Sequence, residues 1–416
     1  MDLVSNMKKL KIGFFIRKID NDMQNIKDLS NLIKESAFEY EIELFVFHIS
    51  KLLNYNILDE IKKYKQFSLV DLSYKNLDYT IKQTQINNMI FINSQHVVDM
   101  LLIQYCNENN IRTVHFQHGL KINWESNKNV LFNQKHKSLM VLKGMAKYFR
   151  FLYFVIYNMW SLKCKKNLIC AYNEKIKLLL NKGFMALSQQ YGIASHRCKR
   201  ALVYSEYDKE QYILNYGYSS EEICVMGYPI IQSTKNEIEW QNYSLYLSSA
   251  LRIASVIPVS KLEELDFYQQ LVDEFQKYKR RLIIKIHPLE TLKYFDAVHY
   301  DKEYVKIVKD TALDELVKKC NVVIGDYTTA LYYAIYFYKP ILILRCKSLD
   351  PYPFDYTSFG IGKRVWLDEL SILLQNNYKN IDSYILKNNY KEFCDKYILP
   401  KDIVSVLTAF NLFESN

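Results

Sequence analysis

Three short stretches of the chain set chemically active side chains just beyond what reads as the end of a buried strand. The first, Thr113-Val-His-Phe-Gln-His-Gly-Leu120, is an apolar run closed by Gln117, His118 and Gly119. A histidine changes charge near neutral pH, and a following glycine lets the backbone turn sharply. His118 is therefore a candidate general base toward a hydroxyl, and Gln117 a candidate substrate contact. A loop histidine hydrogen-bonded to backbone would carry the same signature.

The second stretch, Arg281-Leu-Ile-Ile-Lys-Ile-His-Pro-Leu-Glu290, delivers Lys285 and then His287-Pro288 from an aliphatic strand. Proline fixes the turn and holds the residue before it extended, so the imidazole is presented on a stiff backbone. His287 could there hydrogen-bond or neutralise a phosphate leaving group as its charge develops, with Lys285 as a second contact. An ordinary strand-to-turn His-Pro reads the same in isolation.

The third runs from Asn321 to Ile341, where a strand ends at Gly325-Asp326 and Thr328 and Thr329 open an apolar helix that stops before Lys339-Pro340. Free amides at a helix start, with two hydroxyls beside them, suit an anion, which makes Thr328 and Thr329 candidate phosphate ligands. Asp326 is a candidate substrate contact that must point away from phosphate, or else a helix cap together with Thr328. Glu263 is a further candidate for a ribose or donor hydroxyl, although surface helix carboxylates are commoner.

These residues need a scaffold that gathers strand ends. Short β-rich runs alternate with segments of helical length, the pattern of a doubly wound α/β fold, in which ligands lie outside the carboxyl ends of parallel strands. Candidate strands are 11–16, 41–48, 68–72, 89–93, 113–117 and 201–204 in the first half, and 252–259, 282–286, 305–308, 322–324 and 341–344 in the second. With 416 residues, two Rossmann-like domains facing a central cleft are expected. All seven prolines follow residue 228, and the stretch 226–249 is polar and aperiodic, so it is read as the hinge. The domains are then 1–235 and 236–387, with helices in 388–416 packing back towards the first domain.

Composition narrows the class. Eight scattered cysteines without a CxxC pair read as reduced core residues, and no metal or other cofactor is expected to be obligatory. The start of the chain reads as a first β-strand, with Lys8, Lys9 and Lys11 before a short apolar run broken by Arg17. No apolar stretch is long enough to span a bilayer, so a cytoplasmic protein is expected, peripheral on the inner face of the plasma membrane. The net charge of +10 is concentrated between Lys143 and Arg200, where twelve Lys/Arg face one acid, Glu174. That segment also contains the aromatic run 148–162, which suits an interface beside anionic headgroups or, alternatively, a buried or dimer-covering helix. Nucleic acid is not expected as a partner, because the basic residues surround an apolar run instead of alternating along a groove. The run Gly360-Ile-Gly-Lys-Arg364 lacks the spacing of a nucleotide-binding loop and reads as a basic surface turn.

Taken together, His-Gly after a first-domain strand, Gly227-Tyr-Pro229, Lys-Ile-His-Pro and Asp-Tyr-Thr-Thr before a helix ending Lys-Pro resemble the teichoic-acid polyol-phosphate transferases. These are GT-B-fold enzymes using CDP-glycerol or CDP-ribitol, on a scaffold shared with capsule and lipopolysaccharide transferases that use CMP-activated sugars. The resemblance runs from about residue 110 to 345. It implies transfer from a nucleotide donor to a glycan or lipid-linked glycan acceptor, with His118 as base and His287, Thr328 and Thr329 on the donor phosphates. The chain departs from that family at Thr328-Thr329, where Ser-Ser is usual, at Leu120-Lys121, where Thr-Pro is usual, and at Ile230 to Gln232, where Arg and Asp are common. A UDP-sugar transferase, a sugar-nucleotide epimerase and a non-catalytic scaffold of polysaccharide assembly are the alternatives.

Overall fold

Aliphatic and β-branched runs at both ends of the chain nucleate two separate parallel sheets, each covered by helices, in a computed structural model of the protein. The structure describes residues 8–17, 19–37, 40–53, 64–92, 94, 96–117, 150–182, 196–228, 239–249, 261–287, 290–325, 328–344, 355–398 and 402–410. The candidates His118 and Asp326, and the strand expected over 252–259, lie outside the described residues. The chain divides into two compact units with a break after Pro229, and the segment from Leu399 onward belongs to the first unit.

The first unit contains β1 (Lys8–Ile16), β2 (Tyr40–His48), β3 (Ser68–Asp71), β4 (Asn88–Phe91), β5 (Arg112–Phe116), β6 (Arg200–Val203) and β7 (Ile223–Val225). They pair in the order β3-β2-β1-β4-β5-β6-β7, every neighbour parallel. A parallel sheet is covered on both faces, so its strands must be apolar on both sides. Accordingly Ile12, Phe14, Phe15 and Ile16 of β1 are all buried, in clusters on opposite faces of the sheet. Gly13 stands between them because an added Cβ would come within 2.7 Å of the Phe47 ring.

The described helices of this unit include α1 (Ile19–Ser36), α2 (Leu77–Thr84), α3 (Val97–Glu108) and the helical residues 150–158, α4. After a turn at Met159–Ser161 comes α5 (Lys165–Lys182), then α6 (Glu206–Tyr216). The start of α5 is tied to the end of α3: the Lys163 amide donates to Glu108 Oε2 (2.6 Å), and the Cys164 amide to Oε1 (3.2 Å). The two helices therefore run back along one another, with Leu168 and Ala171 of α5 in the core.

The second unit contains β8 (Tyr243–Leu247), β9 (Leu282–Lys285), β10 (Val305–Val308), β11 (Cys320–Gly325), β12 (Ile341–Leu344) and β13 (Lys363–Val365). The order is β10-β9-β8-β11-β12-β13, again parallel throughout. Its helices are α7 (Lys261–Lys277), α8 (Leu313–Lys319), α9 (Leu331–Tyr336), α10 (Leu367–Gln375) and α11 (Lys387–Phe393). The central strand β8 falls inside 226–249, read from sequence as a hinge. Its Tyr243 and Ser244 look polar, yet both are buried with satisfied hydroxyls: Tyr243 donates to the Leu316 carbonyl (2.7 Å), and Ser244 shares a 2.6 Å bond with Tyr378.

The last described helix, α12 (Ile403–Ala409), packs on α1, β6 and β7 of the first unit. Val406, Ala409 and Phe410 are buried there, the Asp402 amide donates to the Met226 carbonyl (2.8 Å), and Arg112 Nη1 donates to the Phe410 carbonyl (2.8 Å).

Candidate functional site

In both sheets the strand order reverses beside the first strand, between β1 and β4 and between β8 and β11, and the crevice at such a point is where doubly wound sheets bind ligands. In the second unit, β9 and β11 flank β8, so residues just after them sit on either side of the β8 end, about 10 Å apart in the hydrogen-bonding direction. His287 follows β9, and Thr328 and Thr329 follow β11. Sheet topology thus brings these three sequence candidates to one edge.

The His287 backbone is clamped by Glu290. Its amide donates to Glu290 Oε2 (2.7 Å) and its carbonyl accepts from the Glu290 amide (2.9 Å), while Glu290 is wholly buried. The turn is stitched to its neighbours. Ser248, at the end of β8, bonds through Oγ to the Tyr268 hydroxyl (2.9 Å), and Lys309 Nζ, after β10, donates to the Glu290 carbonyl (2.6 Å). The half-buried His287 side chain thus leaves the sheet from a backbone held by Glu290. Lys285 bonds the Lys309 carbonyl, and burial lowers its pKa, partly opposed by Asp310. Its ammonium is thereby committed to bracing the ends of β9 and β10.

Across β8, the chain leaves β11 at Gly325, where a Cβ would press against Leu331 at 3.2 Å. Thr328 Oγ1 accepts from the Ala330 amide (3.2 Å), and its carbonyl accepts from the Tyr356 hydroxyl (2.9 Å). The Thr329 carbonyl accepts from the Tyr332 amide (3.0 Å). Helix α9 itself has only six residues, so the threonine turn, fixed by Tyr356, carries more of this edge than a helix start does. Thr328 retains a hydroxyl proton to donate, and Thr329 is half-exposed. Glu263 is exposed in the first turn of α7, the helix that follows β8.

In the first unit Gln117 ends β5 fully buried. Its Oε1 accepts from the Tyr204 amide (3.0 Å), and its own amide donates to the Leu202 carbonyl (3.0 Å), so the side chain locks β5 to β6. Beside it the switch point between β1 and β4 carries charged groups that the sequence reading did not single out. Arg17, directly after β1, lies 4.0 Å from the buried Asp99 in the first turn of α3. Asp99 Oδ2 also accepts from the His96 amide (3.0 Å), and His96 Nδ1 from the Val98 amide (3.3 Å), forming a capping box at the start of α3. Lys175 of α5 is half-buried within electrostatic reach of Asp99 and Arg17. Burial, the largest influence, lowers its pKa to about 8; Asp99 opposes this and Arg17 adds to it. The available sequence signal was the inward row Leu168, Ala171, Lys175 at helical spacing, a lysine where an apolar residue belongs.

Among the described residues no three His, Cys, Asp or Glu side chains gather to hold a metal, and no helix is long and apolar enough to cross a membrane. The seven described cysteines are all free. The aromatic run is two-sided: Phe151, Phe154 and Val155 of α4 are buried, whereas Tyr153, Ile156, Tyr157 and Trp160 are exposed, joined by Ile169 and Ile176 of α5. Tyr153 and Tyr157 stack at 6.3 Å, and Lys165 Nζ lies 3.6 Å from the Trp160 ring centroid.

No protein-family model matches the chain, and no curated protein matches it in sequence. Solved structures do match over nearly its whole length. The glycotransferase of kitacinnamycin is similar at TM-score 0.51 and 9% identity, covering 97% of each chain. The wall teichoic acid polymerase TagF, a variant soaked with CDPG, is similar at TM-score 0.55 and 11% identity, covering 97% of this chain and 87% of TagF. A putative UDP-N-acetylglucosamine 2-epimerase from Listeria monocytogenes is similar at TM-score 0.53 and 10% identity, covering 99% of each. These likenesses are of fold: the chain is α/β with two Rossmann-like units of the GT-B type.

Proposed function

We propose that the protein is a nucleotide-donor-dependent transferase, moving a glycosyl or polyol-phosphate group from a cytidine nucleotide (CMP-sugar or CDP-polyol) to a hydroxyl of a growing bacterial surface glycan. The observation that carries this reading is the pairing, on either side of the β8 end, of a backbone-clamped His287 with the Thr328-Thr329 turn. An imidazole and two hydroxyls there can donate hydrogen bonds to phosphate oxygens, stabilising charge that grows as the nucleotide leaves. In this reading His118 removes the acceptor proton, and no metal or other cofactor is obligatory. The soak of TagF with CDPG supports a cytidine donor by analogy of fold.

The acceptor is a glycan or lipid-linked glycan, and the protein works on the inner face of the plasma membrane. The exposed face formed by Tyr153, Ile156, Tyr157 and Trp160, set among lysines, supports that location. A second reading, a UDP-sugar transferase or epimerase, is favoured by the end-to-end likeness to the putative epimerase.

The readings separate on the nucleotide recognised. Melting temperatures measured with CMP, CDP, UMP, UDP and GDP should rise selectively for CMP or CDP and lose that rise in His287→Ala and in Thr328→Ala/Thr329→Ala. Stabilisation by UDP alone would transfer the assignment to the second reading.

A further inference from the structure

At the strand-order reversal of the first unit, Arg17 leaves the end of β1 and Asp99 stands in the first turn of the helix that follows β4. Lys175 of α5 lies within electrostatic reach of both. On α5 Lys166, Glu174 and Lys177 are exposed and Lys165 lies over the Trp160 ring, whereas Lys175 continues the inward row of Leu168 and Ala171. The antiparallel run of α5 along α3 explains the position: α5 starts at Glu108, the end of α3, so Lys175 arrives near the start of α3.

Among the described residues two cations, Arg17 and Lys175, lie near the Asp99 carboxylate, which spends one oxygen on the His96 amide. Lys175 has no hydrogen bond or ion pair among the described residues. A half-buried ammonium without a partner is costly, and water or protein usually supplies one. The first turn of α3 is already capped by His96 and Asp99, so the positive character of the crevice comes from side chains and not from helix amides.

We infer that Lys175 and Arg17 form an oxyanion-binding subsite at the first unit's switch point, which takes a phosphate monoester or carboxylate of the acceptor, with Asp99 orienting the guanidinium. An anion entering between them supplies the missing partner for the ammonium. Arg17, with a fixed planar fork, sets the direction of approach, and Lys175 contributes a compact charge that follows it. This deepens the transferase reading by assigning the acceptor an anionic group, and it rests on that reading only for calling the ligand an acceptor.

Trace acetylation of the intact protein, read peptide by peptide by mass spectrometry, tests the site directly. In glycerol 3-phosphate or glucuronate, against sodium chloride of equal ionic strength, acetylation of Lys175 should fall about fivefold while that of Lys177 stays constant. Arg17→Met should remove most of this protection, and neutral glycerol should give none. Protection by either anion supports the subsite and indicates whether phosphate or carboxylate fits better. Protection no greater than at Lys177, or protection undiminished in Arg17→Met, overturns it. Nucleotide-induced stabilisation in the same preparation reports the second unit separately, so a failure of the donor assignment and a failure of this subsite are distinguishable.

Discussion

Glu290 Oε2 accepts the backbone amide of His287 at 2.7 Å from a wholly buried position, which makes an acid three residues downstream responsible for aiming the imidazole. Removing that acceptor leaves polar groups without a partner in a closed part of the fold. Glu290→Ala should destabilise the second unit by about 2 kcal/mol, lowering its calorimetric transition by several degrees, while Glu290→Gln, which keeps a carbonyl acceptor, should recover most of the loss.

His48 closes β2 fully buried, its Nδ1 accepting from the Ser50 amide at 3.3 Å. Burial lowers its pKa to about 4, with Asp71 opposing and Lys51 and Lys75 adding to the effect. Unfolded, a histidine titrates near 6.5, so between about 6.5 and 4 the unfolded chain binds the extra proton and folding weakens as pH falls. Urea midpoints at pH 7, 5.5 and 4.5 should therefore drop more steeply for the wild type than for His48→Asn, whose Oδ1 can replace Nδ1 as acceptor. Within the window the difference approaches about 1.4 kcal/mol per pH unit.

The exposed aromatics of the α4–α5 region predict a surface effect. Trp160→Ser with Tyr157→Ser should reduce cosedimentation with phosphatidylglycerol vesicles about tenfold, with little binding to phosphatidylcholine in either protein and weakening in high salt. Because Trp160 is 78% exposed, the folded state should lose little stability, which thermal melting would check.

Gly362 has φ +69°, and a Cβ there would meet the Ile341 carbonyl oxygen at 2.7 Å. Both the backbone region and the space exclude a side chain. Gly362→Ala should cost about 2 kcal/mol or more in an unfolding titration, without changing the affinity of the remaining folded protein for nucleotide.

Strands with compact aliphatic runs are legible in the sequence: 322–324 falls inside β11, which ends at Gly325, and 282–286 overlaps β9, which ends at Lys285. β8 escaped because its inward residues include Tyr243, Ser244 and Tyr246, and the hydroxyls of Tyr243 and Ser244 find partners only after tertiary folding. β13 escaped too: Lys363 and Arg364 read as a basic turn, whereas Arg364 Nη2 is paired with Asp355 at 2.8 Å on an edge strand. The edge shared by His287 and the threonines was legible because strand ends announce themselves locally. The Arg17–Asp99–Lys175 group was not, since its members come from three elements that meet only through the strand order and the α3–α5 packing.

The central claim, that His287 and the threonine turn bind donor phosphates, is tested most directly by calorimetric titration of the wild type and His287→Ala with CDP and with cytidine. CDP should bind the wild type at least about tenfold more tightly than cytidine does, and His287→Ala should lose this advantage while its affinity for cytidine is unchanged. Equal binding of CDP and cytidine to the wild type, or equal CDP binding by wild type and variant, would contradict it.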